Sequence, residues 1–110
     1  MQLCKAIYQL TASFPRDERF GLTNQVRRAA VSISSNIAEG HGRGSEAQLI
    51  HFLYIARGSA FEVQTQLMLA RDLDFCSPAS SKISESLCDE VGRMLNATIA
   101  TLKAKQPVRD

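Results

Sequence analysis

Arg27 and Arg28 stand side by side, followed by Ser32, Asn36 and Glu39 and then by the glycine-rich run GHGRGS, which carries Arg43. Guanidinium forks match the oxygens of phosphate, and glycines let the backbone come close to such a ligand. At about 100° per residue Arg28, Ser32, Asn36 and Glu39 form one continuous helical strip, each within reach of the next, while Arg27 lies on the opposite flank. Two chemistries fit. The arginines are placed to contact phosphate, or the strip bonds to a neighbouring helix, for which Arg57, Ser59, Glu62 and Gln66 are candidate partners. Serine and asparagine compete for backbone hydrogen bonds inside a helix, so a run of SISSN needs compensation from such a neighbour. GHGRGS opening a helix presents free amides to an anion, but it lacks the lysine and the preceding strand of a P-loop.

Other chemistry is hard to build from this chain. A di-iron bundle needs inward Glu-x-x-His pairs, whereas His41 and His51 follow Glu39 and Glu46 by two and five residues. The two histidines are ten apart and form no zinc pair on one helical face. No GxSxG elbow surrounds any serine. Cys4, Cys76 and Cys88 match no metal or redox spacing and read as reduced, small apolar groups. These patterns predict a protein that is not an enzyme and uses no cofactor or metal.

The elements that would hold the arginines are helical. Leu3, Ile7, Leu10 and Phe14 form one stripe, Leu22, Val26, Ala29, Ile33 and Ile37 a second, and Pro15 separates them. Glycines 40, 42 and 44 are expected to end the second helix, and Ser45 with Gln48 predicts a capping box that starts the third. Leu49, Phe52, Ala56, Ala60, Val63, Leu67 and Ala70 mark the third buried face. After CSPASS, in which serines near a helix start serve as caps, Ile83, Leu87, Val91, Met94, Leu95 and Leu102 mark the fourth. The expectation is a single domain over 1–110, an all-α, antiparallel up-down-up-down four-helix bundle with helices over about 2–14, 20–39, 45–74 and 79–104. The first helix is conspicuously short, so part of the longer ones stays uncovered unless another chain covers it.

A net charge of +2 is far from that of a dedicated nucleic-acid-binding domain. Its distribution is uneven: seven Lys and Arg against four acids through Arg57, then six against seven. No apolar run approaches the roughly 18 residues of a membrane span, and the N-terminus lacks the basic start of a signal peptide, which predicts a cytoplasmic protein without a membrane partner. Only the tail, Lys103 to Asp110, reads as lying outside the fold.

The words RRAAVSI (Arg27 to Ile33), NIAEG (Asn36 to Gly40) and the cluster Ala56, Gly58, Ser59 and Glu62 together resemble the bacterial four-helix proteins encoded in intervening sequences of 23S ribosomal RNA genes, often labelled ribosomal protein S23. The likeness covers nearly the whole chain, with Ser34 standing where that family often has proline. It implies an antiparallel bundle assembled into a homopentameric ring. The accessory variability proteins of diversity-generating retroelements are similar in fold and are associated with nucleic acid and a reverse transcriptase. Residue by residue, the shared words fall on Arg27, Arg28, Ser32, Asn36, Glu39, Gly40, Arg43, Ser59 and Glu62. The resemblance assigns no catalytic role to any of them.

The sequence reading is therefore a non-enzymatic, oligomeric nucleic-acid-binding or adaptor protein, with RNA or DNA, another protein and further copies of itself as the candidate partners. Arg27 and Arg43 are the candidate nucleic-acid contacts. Arg28, Ser32, Asn36, Glu39, Ser59 and Glu62 are the candidate structural network, in which Arg28 pairs with Glu39 or Glu62. The competing reading is a protein-protein interaction scaffold that never touches nucleic acid.

Overall fold

The computed structural model describes residues 1–106; the end of the predicted tail, 107–110, lies outside the described residues. Four α-helices follow one another: α1 (Gln2–Thr11), α2 (Leu22–Gly42), α3 (Glu46–Asp72) and α4 (Pro78–Ala104). A 3-10 turn, Arg16–Glu18, lies between α1 and α2, and no strand occurs among the described residues. α2 packs on α3, α3 on α4, and α1 on both α2 and α4, giving a rod of 53 × 22 × 22 Å. At about 1.5 Å per residue α1 spans about 15 Å, whereas α3 and α4 each span about 40 Å.

Local chemistry sets the ends of these elements. The Thr11 hydroxyl donates to the Ile7 carbonyl at 2.7 Å and Ser13 to Leu10 at 2.9 Å, so the chain leaves α1 at Thr11, three residues earlier than the apolar stripe suggests. α2 has glycine at its N-cap, and Glu18 substitutes for a cap by accepting from the Leu22 amide at 3.3 Å, placing a carboxylate at the positive end of the helix. Ser45 caps α3 by accepting from the Gln48 amide at 3.2 Å, but no returning bond from the Gln48 side chain is made. α3 closes in a Schellman turn: Asp74 takes a left-handed φ of 59°, and the Phe75 amide reaches the Ala70 carbonyl at 2.9 Å. Phe75 then packs on Phe14, ring centroids 5.8 Å apart. Ser77 and Pro78 start α4 with a serine cap and proline in the first turn.

Glycines 40 and 42 do not end α2, which continues through both to Gly42; the backbone turns left-handed only at Gly44, φ 79°. Gly40 is buried because α3 passes close by, and a Cβ there would lie 3.0 Å from Phe52 Cβ and 3.1 Å from Leu49 Cδ1. Nothing lies within 4 Å of a Cβ built at Gly42. The two glycines therefore respond oppositely to substitution. Gly40→Leu should lower stability by about 1–3 kcal/mol through overpacking, and Gly42→Ala should raise it by about 0.4–1 kcal/mol. Chemical denaturation of both variants reads the signs directly.

Leu3, Ile7, Leu10, Val26, Ile33, Leu53, Val63, Leu67, Leu95 and Ile99 make up much of the core. The expected face of α4 needs correction, because Ile83 is 68% exposed and Met94 55%. Ser81, Ser84 and Cys88 turn inward instead, rotating the buried face by about 100° from Ile83 and Met94. Buried Ser81 is tolerated because it is satisfied: its hydroxyl donates to Glu85 Oε2 at 2.7 Å, and Arg71 donates to Glu85 Oε1 at 2.8 Å, tying the end of α3 to the start of α4.

Burial pushes the Cys88 thiol up from 9.0 to about 11, and its Sγ donates to the Ala60 carbonyl at 3.3 Å. A group whose pKa rises on folding lends stability that is complete below its unfolded value and is lost as pH climbs through the folded one. Cys88 thus predicts an alkaline loss of stability beginning near pH 9 and complete near 11. Cys88→Ala should flatten that part of the stability-pH curve, and in the native protein the thiol should resist alkylation at neutral pH.

Candidate functional site

The strip on α2 is split by the fold into three parts. At its centre Asn36 Nδ2 donates to the Ser32 carbonyl at 2.8 Å and to Ser32 Oγ at 3.0 Å, and the Ser32 hydroxyl shares a hydrogen bond with Ser59 Oγ on α3 at 2.9 Å in which either hydroxyl can donate. This short chain satisfies the serine and asparagine that the helix interior disfavours. Glu39 does not reach Arg28. It pairs instead with Arg43 one turn on, 2.6 Å away and exposed on both sides. The side chains of Arg28 and Glu62 make no hydrogen bond or ion pair among the described residues.

Arg28 and Glu62 face each other across a groove of about 340 Å³ between α2 and α3, lined also by Gln25, Ser32, Ser59 and Gln66. The Gln66 Oε1 atom is buried without a donor. Of the proposed partners on α3, only Ser59 bonds to the strip; Arg57 turns toward α4, donating to Asn96 Oδ1 at 3.1 Å and lying over the Tyr54 ring at 4.7 Å.

Arg27 and Arg43 lie at opposite ends of α2, about 24 Å apart along its axis. Arg43 stacks over Phe52 at 5.1 Å while paired with Glu39. Arg27 is held by α1: Nε donates to Thr11 Oγ1 at 2.7 Å and the guanidinium lies 4.6 Å from the Tyr8 ring centroid. These contacts fix the plane of Arg27 and leave its terminal nitrogens without partners among the described residues.

Two arginines that are not among the candidate residues named from the sequence join it. Arg16 and Arg19, on the turn between α1 and α2, line a recess of about 220 Å³ together with Arg27, Thr11 and Thr23. No carboxylate lines it, because Glu18 on the same turn is drawn away to cap α2. Neither Arg16 nor Arg19 makes a side-chain hydrogen bond or ion pair among the described residues, and Thr23 Oγ1 is buried without a partner. Arg27 and Arg28 also border a shallow trough of about 620 Å³ with Tyr8, Asn24 and Ser35. The signal for this cluster was the charged connection PRDERFG, whose two arginines are brought to Arg27 by a tight turn after α1.

Among the described residues no group of three or more His, Cys, Asp or Glu is placed to hold a metal ion. No helix is long and apolar enough to cross a membrane.

The helical architecture is that of a solved protein of unknown function from the S23 ribosomal protein family of Bacteroides thetaiotaomicron, with a TM-score of 0.79, 23% identity, and coverage of 89% of this chain and 92% of that one. At that identity the likeness establishes the fold. The sequence profile of the 23S rRNA-intervening sequence proteins matches residues 1–97, and the chain belongs to that family. No curated protein matches it.

Proposed function

We propose that this protein is a non-enzymatic, cytoplasmic, oligomeric nucleic-acid-binding adaptor built as an antiparallel up-down-up-down bundle. The convergence of Arg16, Arg19 and Arg27 on one recess free of carboxylates carries the reading. Three guanidiniums gathered at one corner, Arg27 held there by Thr11 and Tyr8, are suited to successive phosphates, and Arg28 extends the basic surface along the neighbouring trough. Arg43 is a separate and weaker contact, since phosphate must displace Glu39 to reach it. The alternating direction of the helices is supported by pairings such as Arg27 with Thr11, Cys88 with Ala60 and Lys103 with Tyr54. A homopentameric ring, implied by the family resemblance, would multiply +2 to about +10 and present the basic corner five times.

The competing reading, a scaffold for a partner protein, is favoured by the α2–α3 groove, where Arg28, Glu62 and the donor-less Gln66 oxygen match the mixed polarity of a protein surface better than a phosphate backbone. The deciding experiment is binding to a structured RNA and to duplex DNA across a salt series, with the solution mass recorded alongside. Tight binding with a steep fall in affinity against salt supports the adaptor. No binding at low salt by an intact assembly rejects it in favour of the scaffold.

A further inference from the structure

Within the recess of Arg16, Arg19 and Arg27 one hydroxyl is unanswered. Thr23 is 7% exposed, and its Oγ1 is buried without a hydrogen-bond partner. A threonine in a helix commonly donates to the carbonyl four residues back, as Thr11 does to Ile7 at 2.7 Å, and Thr11 also accepts from Arg27 Nε. Thr23 is the second residue of α2, so the residue four back is Arg19, before the helix begins, and that bond is not made. A buried hydroxyl left unpaired is costly. Around it the recess supplies three guanidiniums and no carboxylate. The ligand that completes this arrangement is one made of acceptors.

Phosphate is such a ligand, and its two forms in a nucleic acid fit the recess differently. An internal phosphodiester carries one negative charge, and the strand must both enter and leave beside it. It meets Arg16 and Arg19, both exposed, from outside and leaves the interior unfilled. A terminal phosphate monoester carries about −1.5 to −2 at pH 7, presents three free oxygens and is attached to its strand on one side only. It enters end first. At about 220 Å³ the recess is smaller than the roughly 300 Å³ at which sites for drug-sized ligands begin, so it takes the phosphate and leaves the nucleoside outside. Its place at the N-terminal end of α2 adds the positive pole of that helix.

We propose that the recess holds the terminal phosphate monoester of a nucleic-acid strand, with Thr23 Oγ1 donating to one oxygen and Arg16, Arg19 and Arg27 to the others. The inference rests on the nucleic-acid reading proposed above and names the part of the strand that this corner selects. Arg27, held by Thr11 and Tyr8, gives the strand end a fixed contact, and the unpaired Arg16 and Arg19 reach it from the turn. The neighbouring surface favours a strand over a phosphorylated protein. Arg27 borders both the recess and the trough of about 620 Å³, where Arg28, Asn24, Ser32 and Ser35 continue a polar track without a carboxylate. Phosphates that follow the terminal one have that track to occupy, whereas a single phosphorylated side chain leaves it unused.

The test is the affinity of the full chain, at one moderate salt concentration, for a short single-stranded RNA of one sequence made with a 5′-phosphate, with a 3′-phosphate or with neither. At least one phosphorylated form should bind about tenfold tighter than the strand with neither, and the form preferred tells which end is read. Thr23→Val keeps the shape of the side chain and removes an unpaired hydroxyl, so it should hold or raise the melting temperature while cutting that preference about tenfold. Thr23→Ser, which keeps the hydroxyl, should retain the preference. Equal affinity for the three strands overturns the end site and leaves the nucleic-acid reading standing, whereas no binding of any of them even at low salt overturns both. A preference that survives in Thr23→Val is the pull of added charge on a basic surface and rejects the recess as its source. A phosphoserine peptide that binds as tightly as the preferred strand rejects the assignment to nucleic acid.

Discussion

Ile33→Ala should destabilise the protein by about 2–5 kcal/mol, a large share of the roughly 5–15 kcal/mol that holds a domain folded. Ile33 is fully buried at the middle of α2, in the core that also includes Ile7, Val63 and Leu67. Truncation removes the transfer free energy of three carbons and leaves a cavity that the surrounding structure closes only in part. Its neighbour on the chain, Ser32, holds α2 to Ser59 of α3, so the two helices are pinned beside the hole and relaxation is further limited. Ile33→Val, which keeps the branched shape, should cost only about 0.5–1.5 kcal/mol. Val31, two residues away and 43% exposed, provides the contrast: its alanine variant should change stability by less than about 0.5 kcal/mol. Denaturant melts of the three variants check the order, and an Ile33→Ala loss below about 1 kcal/mol would remove Ile33 from the core.

How far the sequence foretells these results depends on the side chain. The α1 and α2 stripes are legible because large aliphatics at three-and-four spacing have one efficient way to leave water, and every member is buried or half-buried. The cap at Ser45 is legible for the same kind of reason, since one hydroxyl and one amide suffice. Gly40 misleads because its role is tertiary: a residue that locally favours a break is required by the approach of Leu49 and Phe52. The α4 face misleads because small serines occupy core positions, and Ser81 is acceptable there only through Glu85, itself held by Arg71 from another helix. Ile83 and Met94, which look like core by type, are left outside.

The candidate site divides in the same way. The Asn36, Ser32 and Ser59 chain follows from helical periodicity plus a facing helix, both visible in the residue pattern. The partnering of Arg28 with an acid does not occur among the described residues, because Glu39 has a nearer cation one turn on in Arg43 and Glu62 stays across the groove. Arg16 and Arg19 are invisible as a site in the sequence, where they flank Asp17 and Glu18 and cancel in any local count of charge. Only the turn that sends Glu18 to the Leu22 amide separates the signs and leaves the guanidiniums facing Arg27.

That separation predicts the largest functional effect. The Arg16→Ala, Arg19→Ala, Arg27→Ala triple variant should lose most of its nucleic-acid affinity at low salt, with the slope of log K against log salt reduced by up to about 3 for each chain that engages duplex DNA, at about 0.9 per phosphate neutralised. Arg27 also supports α1 through Thr11 and Tyr8, so its loss alone confounds binding with packing. Arg16 and Arg19 make no such contacts, and the Arg16→Ala, Arg19→Ala double variant should therefore keep the wild-type melting temperature while lowering the slope by up to about 2. Arg43→Ala should lower it by at most about 1, because its guanidinium already answers Glu39. Measured on assembled protein, this ranking separates a local phosphate site from a diffuse field: five copies of an even positive surface would lose affinity equally with any arginine removed. A loss from Arg43→Ala equal to that from Arg16→Ala or Arg19→Ala alone would thus dissolve the corner as a site, and an unchanged slope in the triple variant would remove these arginines from nucleic-acid binding altogether.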